Sequence, residues 1–303
     1  FYVLLVYGLG CSIGPMGRDF SLLADPDTHI YGFSGSVLKW ITEVLGRWSF
    51  GYHLISLLLM YACMVLLFFI VRNLLKTPYW IGTLASVLFM ANPAYGETLL
   101  NLTGMVDLIP CLAALVAFFV LTWEVKQRQL LKTFFDALVL SAATFIVPSN
   151  ALLPWVFVLF EFMTKRFQNM YLGRSIVFSL FGAAAMAYHW EHLVDCVKHF
   201  LSHTASLYFL FYPIGLTPET AYTLHRFPVL GFLGAGALFF VIRGICKRAD
   251  STVMNFSLIA ALITGIVGGK NLVDPVHLVG AGKLLLASAF YHLGFVALVA
   301  RIL

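Results

Sequence analysis

The chain has 303 residues, of which 61% are hydrophobic and 11% charged, and a net charge of +5; its mean hydropathy is +0.91. A soluble domain is roughly a quarter charged, and 19 basic and 14 acidic side chains cannot cover a water-facing surface of this size, so an ordinary soluble globular protein is excluded. The basic excess forms no run of the density nucleic acid demands, and the five scattered cysteines contain no C-x-x-C pair, so neither a nucleic-acid partner, a disulfide frame nor a zinc knuckle is indicated.

Taken in chain order, apolar runs bounded by charge, Pro or Gly predict about ten spans, at about 20 residues per membrane helix. Residues 1–13 are too short to cross and read as the tail of a first helix that begins before Phe1. An outer loop over about 14–51 follows, and within it Ser34 to Leu45 sets Val37, Leu38, Ile41, Val44 and Leu45 on one face with Lys39 and Glu43 opposite. That pattern belongs to a helix lying in the membrane interface. Further spans are expected at 52–71, 79–92, 106–123, 133–147, 151–164, 174–189, 228–243, 252–268 and 283–301. Two more long outer loops are expected at about 93–105 and 190–227, the latter opening on a second amphipathic helix, Glu191 to His203. The expectation is an all-α polytopic membrane protein, a single transmembrane domain over 1–303, with interfacial helices on its non-cytoplasmic side.

Charge counted on alternate sides of this map is unequal. One side holds 12 basic residues against four acids, Glu124, Asp136, Glu161 and Asp250; the other holds seven against ten. The positive-inside rule makes the first side cytoplasmic. The long loops, most carboxylates and nearly all histidines then face away from the cytoplasm, as expected in a bacterial inner membrane or an endoplasmic reticulum membrane. No phosphate-cradling glycine motif occurs on either side.

Several outer residues have chemistry to offer. Asp25-Pro26-Asp27 is a D-x-D pair that would bind a divalent metal or supply a general base; Asp-Pro is also a routine turn starter. Glu97 and Asp107 stand at the membrane boundary, where a carboxylate must be solvated or paired. His192, Asp195, His199 and His203 fall on one helical face at spacings that hold zinc or a related metal; the same face reads equally as the wet side of an interfacial helix. Lys283 opens the last span, either against a lipid phosphate or as a snorkelling lysine.

These features come in a familiar order. GYHLISLLLMYACMVLLFFIVRNLL at 51–75, NPAYGETLLNLTGMVDLIPCLAALVAFF at 92–119, SNALLPWVFVLFEF at 149–162, YFLFYPIGLTPETAY at 208–222 and HLVGAGKLLLASAF at 277–290 together resemble the membrane domain of class C glycosyltransferases. The likeness is to their protein O-mannosyltransferase-like and transmembrane-and-tetratricopeptide families. The resemblance implies transfer of a sugar from a polyprenyl-phosphate donor to an acceptor on the non-cytoplasmic face. Asp19 or the Asp25/Asp27 pair would sit in the catalytic-acid loop, Glu97 and Asp107 would match the second-loop acids, and Lys283 and Arg226 would hold the donor phosphate. The departures point elsewhere. Met60 and Asn92 stand where the family pattern has His, Met105 where it has Arg, Pro148-Ser149 where it has Lys-Glu, and Lys283 lacks the planar fork of the family's arginine. Retained framework with lost polar groups implies the alternative, a degenerate relative acting as a subunit of a larger membrane complex.

Overall fold

The computed structural model describes residues 33–46, 48–91, 98, 99, 101, 105–123, 129–145, 150–163, 169–191, 193–195, 198, 252–269 and 285–302. Among them the regular structure is entirely α-helical. The helices are α1 (Phe33–Leu45), α2 (Ser49–Leu75), α3 (Tyr79–Met90), α4 (Met105–Thr122), α5 (Gln129–Phe145), α6 (Leu153–Met163), α7 (Asn169–Tyr188), α8 (Thr252–Gly269) and α9 (Leu285–Ile302). Helices α2 to α9 lie where the apolar runs place them and α1 where the amphipathic segment Ser34 to Leu45 is expected; the expected runs at 1–13 and 228–243 lie outside the described residues. Two helices, α2 and α4, are long and apolar enough to cross a membrane, judged by length and composition.

Neighbouring contacts fix the helix directions. Ser86 Oγ donates to Met64 O at 2.9 Å, and a Cβ on Gly82 would stand 2.8 Å from the Phe68 ring and 3.2 Å from Phe68 O, so α3 runs back against α2 at a distance only glycine allows. Helix α4 runs parallel to α2, with Cys63 hydrogen-bonded to Cys111 and the rings of Phe69 and Phe119 6.2 Å apart. Helix α5 returns antiparallel to α4, since Lys132 at its start donates to Val120 O while Asn150 just beyond it reaches back to Pro110 O. Trp155 Nε1 donates to Met186 Sδ and Glu161 pairs with Arg174, so α6 and α7 are antiparallel. Helices α8 and α9 pack closely. There a Cβ on Gly294 would meet Ser257 Cβ at 3.2 Å, and alanines and serines line both helices, the small-residue contact through which apolar helices approach closely.

The core centres on Phe118. Its ring lies 5.9 Å from Phe157 and 5.3 Å from Phe160 of α6, 5.6 Å from Phe256 of α8 and 5.3 Å from Phe290 of α9. One α4 side chain therefore joins four helices, and its contacts with Phe160 and Phe290 have the edge-to-face geometry that aromatic quadrupoles favour. Helix α1 lies across the starts of α2 and α4, with Leu38 and Ile41 packed on Tyr52, Met105 and Val106. This is the apolar face the sequence predicts, except that Val44 is exposed.

The directions sort the charges by end. One end carries Arg72, Lys76, Lys132 and Arg174 with Asp136 and Glu161; the other carries Asp107, Glu43, Glu191 and Asp195 with Lys39 and Lys198. They are termed the basic and the acidic end below.

Truncating the hub tests this packing. Phe118→Ala is expected to cost about 3–5 kcal/mol, read as a lower thermal midpoint in detergent, whereas Phe162→Ala, 66% exposed, is expected to stay within about 0.5 kcal/mol.

Candidate functional site

At the acidic end, Asp107 occupies the first turn of α4, where the positive end of the helix dipole favours a carboxylate. It is buried, with 9% of its surface exposed, not solvated at the headgroups as a boundary carboxylate can be. One element away, His53 of α2 is buried with Nδ1 3.3 Å from Leu99 O, and Tyr52 donates its hydroxyl to Gly46 O at 2.9 Å. That bond ties the end of α1 to the start of α2. Two positions at which the resemblance leads one to expect polar groups are sealed: Met60 lies in the main apolar core and Met105 in the cluster beneath α1, both with 0% exposure.

Asp195 is exposed. Asp19, Asp25, Asp27, Glu97, Arg226, Lys283, His192, His199 and His203 lie outside the described residues. Among the described residues no group of three or more His, Cys, Asp or Glu is placed to hold a metal ion.

The most developed polar constellation is one that side-by-side charge counting does not reveal. At the basic end, Lys132 and Asp136 of α5 pair one helical turn apart, and Lys132 also donates to Val120 O of α4. Arg174 of α7 donates through Nη1 to Asp136 Oδ2 at 3.2 Å and through Nη2 to Glu161 Oε1 of α6. The Asp136 and Glu161 side chains are fully buried and Arg174 nearly so. Two cations thus match two carboxylates across the ends of three helices. The sequence counts Asp136 and Glu161 only as acids on the cytoplasmic side. The available signal is the i,i+4 spacing of Lys132 and Asp136, together with an acid inside the apolar run VFVLFEFM.

The opposite end of α5 is closed by neutral groups. Its last carbonyls lack intrahelical partners, and Asn150 Nδ2 donates to Ala143 O at 3.1 Å and to Pro110 O at 3.0 Å. His189 Nε2 donates to Thr144 O at 3.2 Å, which fixes the tautomer with the proton on Nε2. In the core, the thiols of Cys63 and Cys111 are free, buried and in mutual hydrogen-bond contact, in accord with their reading as small hydrophobes.

No protein-family model matches this chain, and comparison with curated proteins and with solved structures returns no match.

The ionic cluster makes a definite prediction. Arg174→Met leaves a buried carboxylate without its guanidinium and is expected to cost about 3–5 kcal/mol. Adding Glu161→Met in the same chain should recover much of that loss in a thermal melt, since the pair is then replaced by apolar volume.

Proposed function

We propose that the chain is a polytopic membrane protein of about ten spans, glycosyltransferase-like in framework. In this reading its outer site is catalytically degenerate, and it serves as a structural subunit of a larger membrane complex. The membrane reading is supported by aromatic side chains at the two ends. Trp40, Trp48, Tyr188 and Trp190 are exposed at the acidic end, and Tyr79, Trp80 and Trp123 at the basic end, the arrangement of interfacial belts. Phe134, Phe135 and Leu138 on α5 and Leu54, Leu58 and Phe69 on α2 are exposed between those ends, as side chains facing lipid would be. The basic end is then the cytoplasmic one, in a bacterial inner membrane or an endoplasmic reticulum membrane.

One observation carries the choice of a degenerate site: Met60 and Met105 are wholly buried in apolar clusters, where the family it resembles places a histidine and an arginine. A site that must stabilise a departing lipid phosphate needs donors aimed at the developing charge, and methionine supplies none. Lipid and other membrane subunits are the partners of this reading.

The competing reading is active transfer from a polyprenyl-phosphate sugar. It is favoured by Asp107, a carboxylate kept buried at the acidic end, with Asp19, Asp25, Asp27 and Glu97 as the remaining acids, Lys283 and Arg226 on the donor phosphate, and a divalent metal on Asp25 and Asp27. Three measurements separate the two. The chain should remain in membranes washed with alkaline carbonate. Purified in mild detergent, it should carry stoichiometric membrane partners and transfer no sugar from a polyprenyl-phosphate donor. A lone monomer with transfer activity that Asp25→Asn or Asp27→Asn abolishes would reverse the choice.

A further inference from the structure

The short turn between α2 and α3, at the basic end, is built unlike the other charged sites of the molecule. Lys132 and Arg174 have buried carboxylate partners, whereas Arg72 and Lys76 have no acidic partner among the described residues. The Arg72 guanidinium lies over the ring of Tyr79, its Cζ 3.9 Å from the centroid, with Phe68 at 5.9 Å. This stacking holds the fork in place with no ion pair. The Arg72 Nε–H and the Thr77 hydroxyl are buried there, and neither has a hydrogen-bond partner among the described residues. A buried donor left in that state costs about 1–3 kcal/mol unless an acceptor arrives.

The backbone is specialised at the same point. Lys76 has φ of 51°, the one positive φ outside glycine among the described residues, and its N–H closes α2 onto Arg72 O at 3.0 Å. A non-glycine residue in this region is uncommon and points to a local demand. Pro78 then starts α3, and Tyr79 and Trp80 at its first positions are exposed. Within nine residues the chain assembles two uncompensated cations, two unfilled donors and two aromatic rings at an interface.

We propose that this turn binds the phosphate of an anionic lipid headgroup, with Arg72 and Lys76 supplying charge and Thr77 a neutral donor. Tyr79 and Trp80 pack against the glycerol and upper acyl region. A guanidinium pre-set by stacking offers paired N–H groups to phosphate oxygens, and amphipathic rings settle at headgroup level. The site rests on the membrane reading above. It lies at the end opposite the residues assigned to a sugar donor, so it is not a second view of that chemistry.

The test uses the full chain, first washed in membranes with alkaline carbonate, then purified in mild detergent and examined by native mass spectrometry with phosphatidylglycerol, phosphatidylcholine or inorganic phosphate. The wild type should retain phosphatidylglycerol in preference to phosphatidylcholine, and excess inorganic phosphate should not displace it. Arg72→Gln and Lys76→Asn should each lower that retention about fivefold, the value of roughly 1 kcal/mol per basic residue near a membrane surface. Asparagine tolerates the left-handed backbone, so the second variant keeps the turn even if the first unsettles it. Lys39→Gln, at the acidic end, should change nothing. A preference absent from the wild type, or undiminished in both variants, overturns the proposal while leaving the membrane reading intact. Displacement by inorganic phosphate overturns the lipid as its source, and release of the chain by carbonate overturns the membrane reading and the site with it.

Discussion

A helix in an apolar setting must satisfy its own polar groups, because no water is there to do it and each unsatisfied group costs several kcal/mol. Five hydroxyls on these helices meet that constraint in the same way. Thr83 donates to Tyr79 O, Ser86 to Gly82 O, Thr144 to Leu140 O, Ser257 to Val253 O and Thr264 to Ala260 O, each one turn back on its own helix. His292 does the same with Nδ1 to Ser288 O at 2.7 Å. The helices can therefore carry small polar residues without needing partners from neighbours. That leaves their contact faces free for glycine, alanine and phenylalanine, and the packing around Phe118 and between α8 and α9 depends on it.

Where hydroxyls turn inward, full charges cannot, and the molecule treats its two ends differently. At the basic end, ions are compensated across three helices by Lys132, Asp136, Arg174 and Glu161. At the far end of α5 the carbonyls are capped by the neutral donors of Asn150 and His189. One end of α5 is thus tied by an arrangement sensitive to its partners' charge, the other by hydrogen bonds that involve none. A neutral quartet is not itself strong evidence for stability, because desolvation offsets much of the attraction. Its geometry does set the mutual register of α5, α6 and α7, since moving any one of them would strand a charge.

The helix positions were legible because apolar periodicity and charged or Pro/Gly punctuation are local properties. The runs read at 52–71, 106–123 and 252–268 correspond to Ser49–Leu75, Met105–Thr122 and Thr252–Gly269. The partners were not legible. Glu161 belongs with Arg174 through the antiparallel return of α7, and Asp136 joins them only because α5 lies parallel to α7; neither direction is written in any window of sequence. Of the candidate site, Asp107 and Asp195 alone fall on described residues, and burial separates them: Asp107 is enclosed at the start of α4, Asp195 is open. Hydropathy alone could not make that distinction, because both are single acids beside apolar runs.

The pairing of α2 with α3 also gives the molecule two heights. Contacts at Gly82 with Phe68 and Ser86 with Met64 carry α3 up to about the level of Met60, where its 12 residues end. Helix α2 continues for roughly three more turns, about 17 Å at 1.5 Å per residue. Along that extension Leu58, Leu54 and Phe50 follow one another at helical spacing, and all three are exposed. Among the described residues this leaves an apolar strip along α2 past the level where α3 ends. Hydrocarbon chains would cover such a strip at little cost, whereas water would be held against three large apolar side chains.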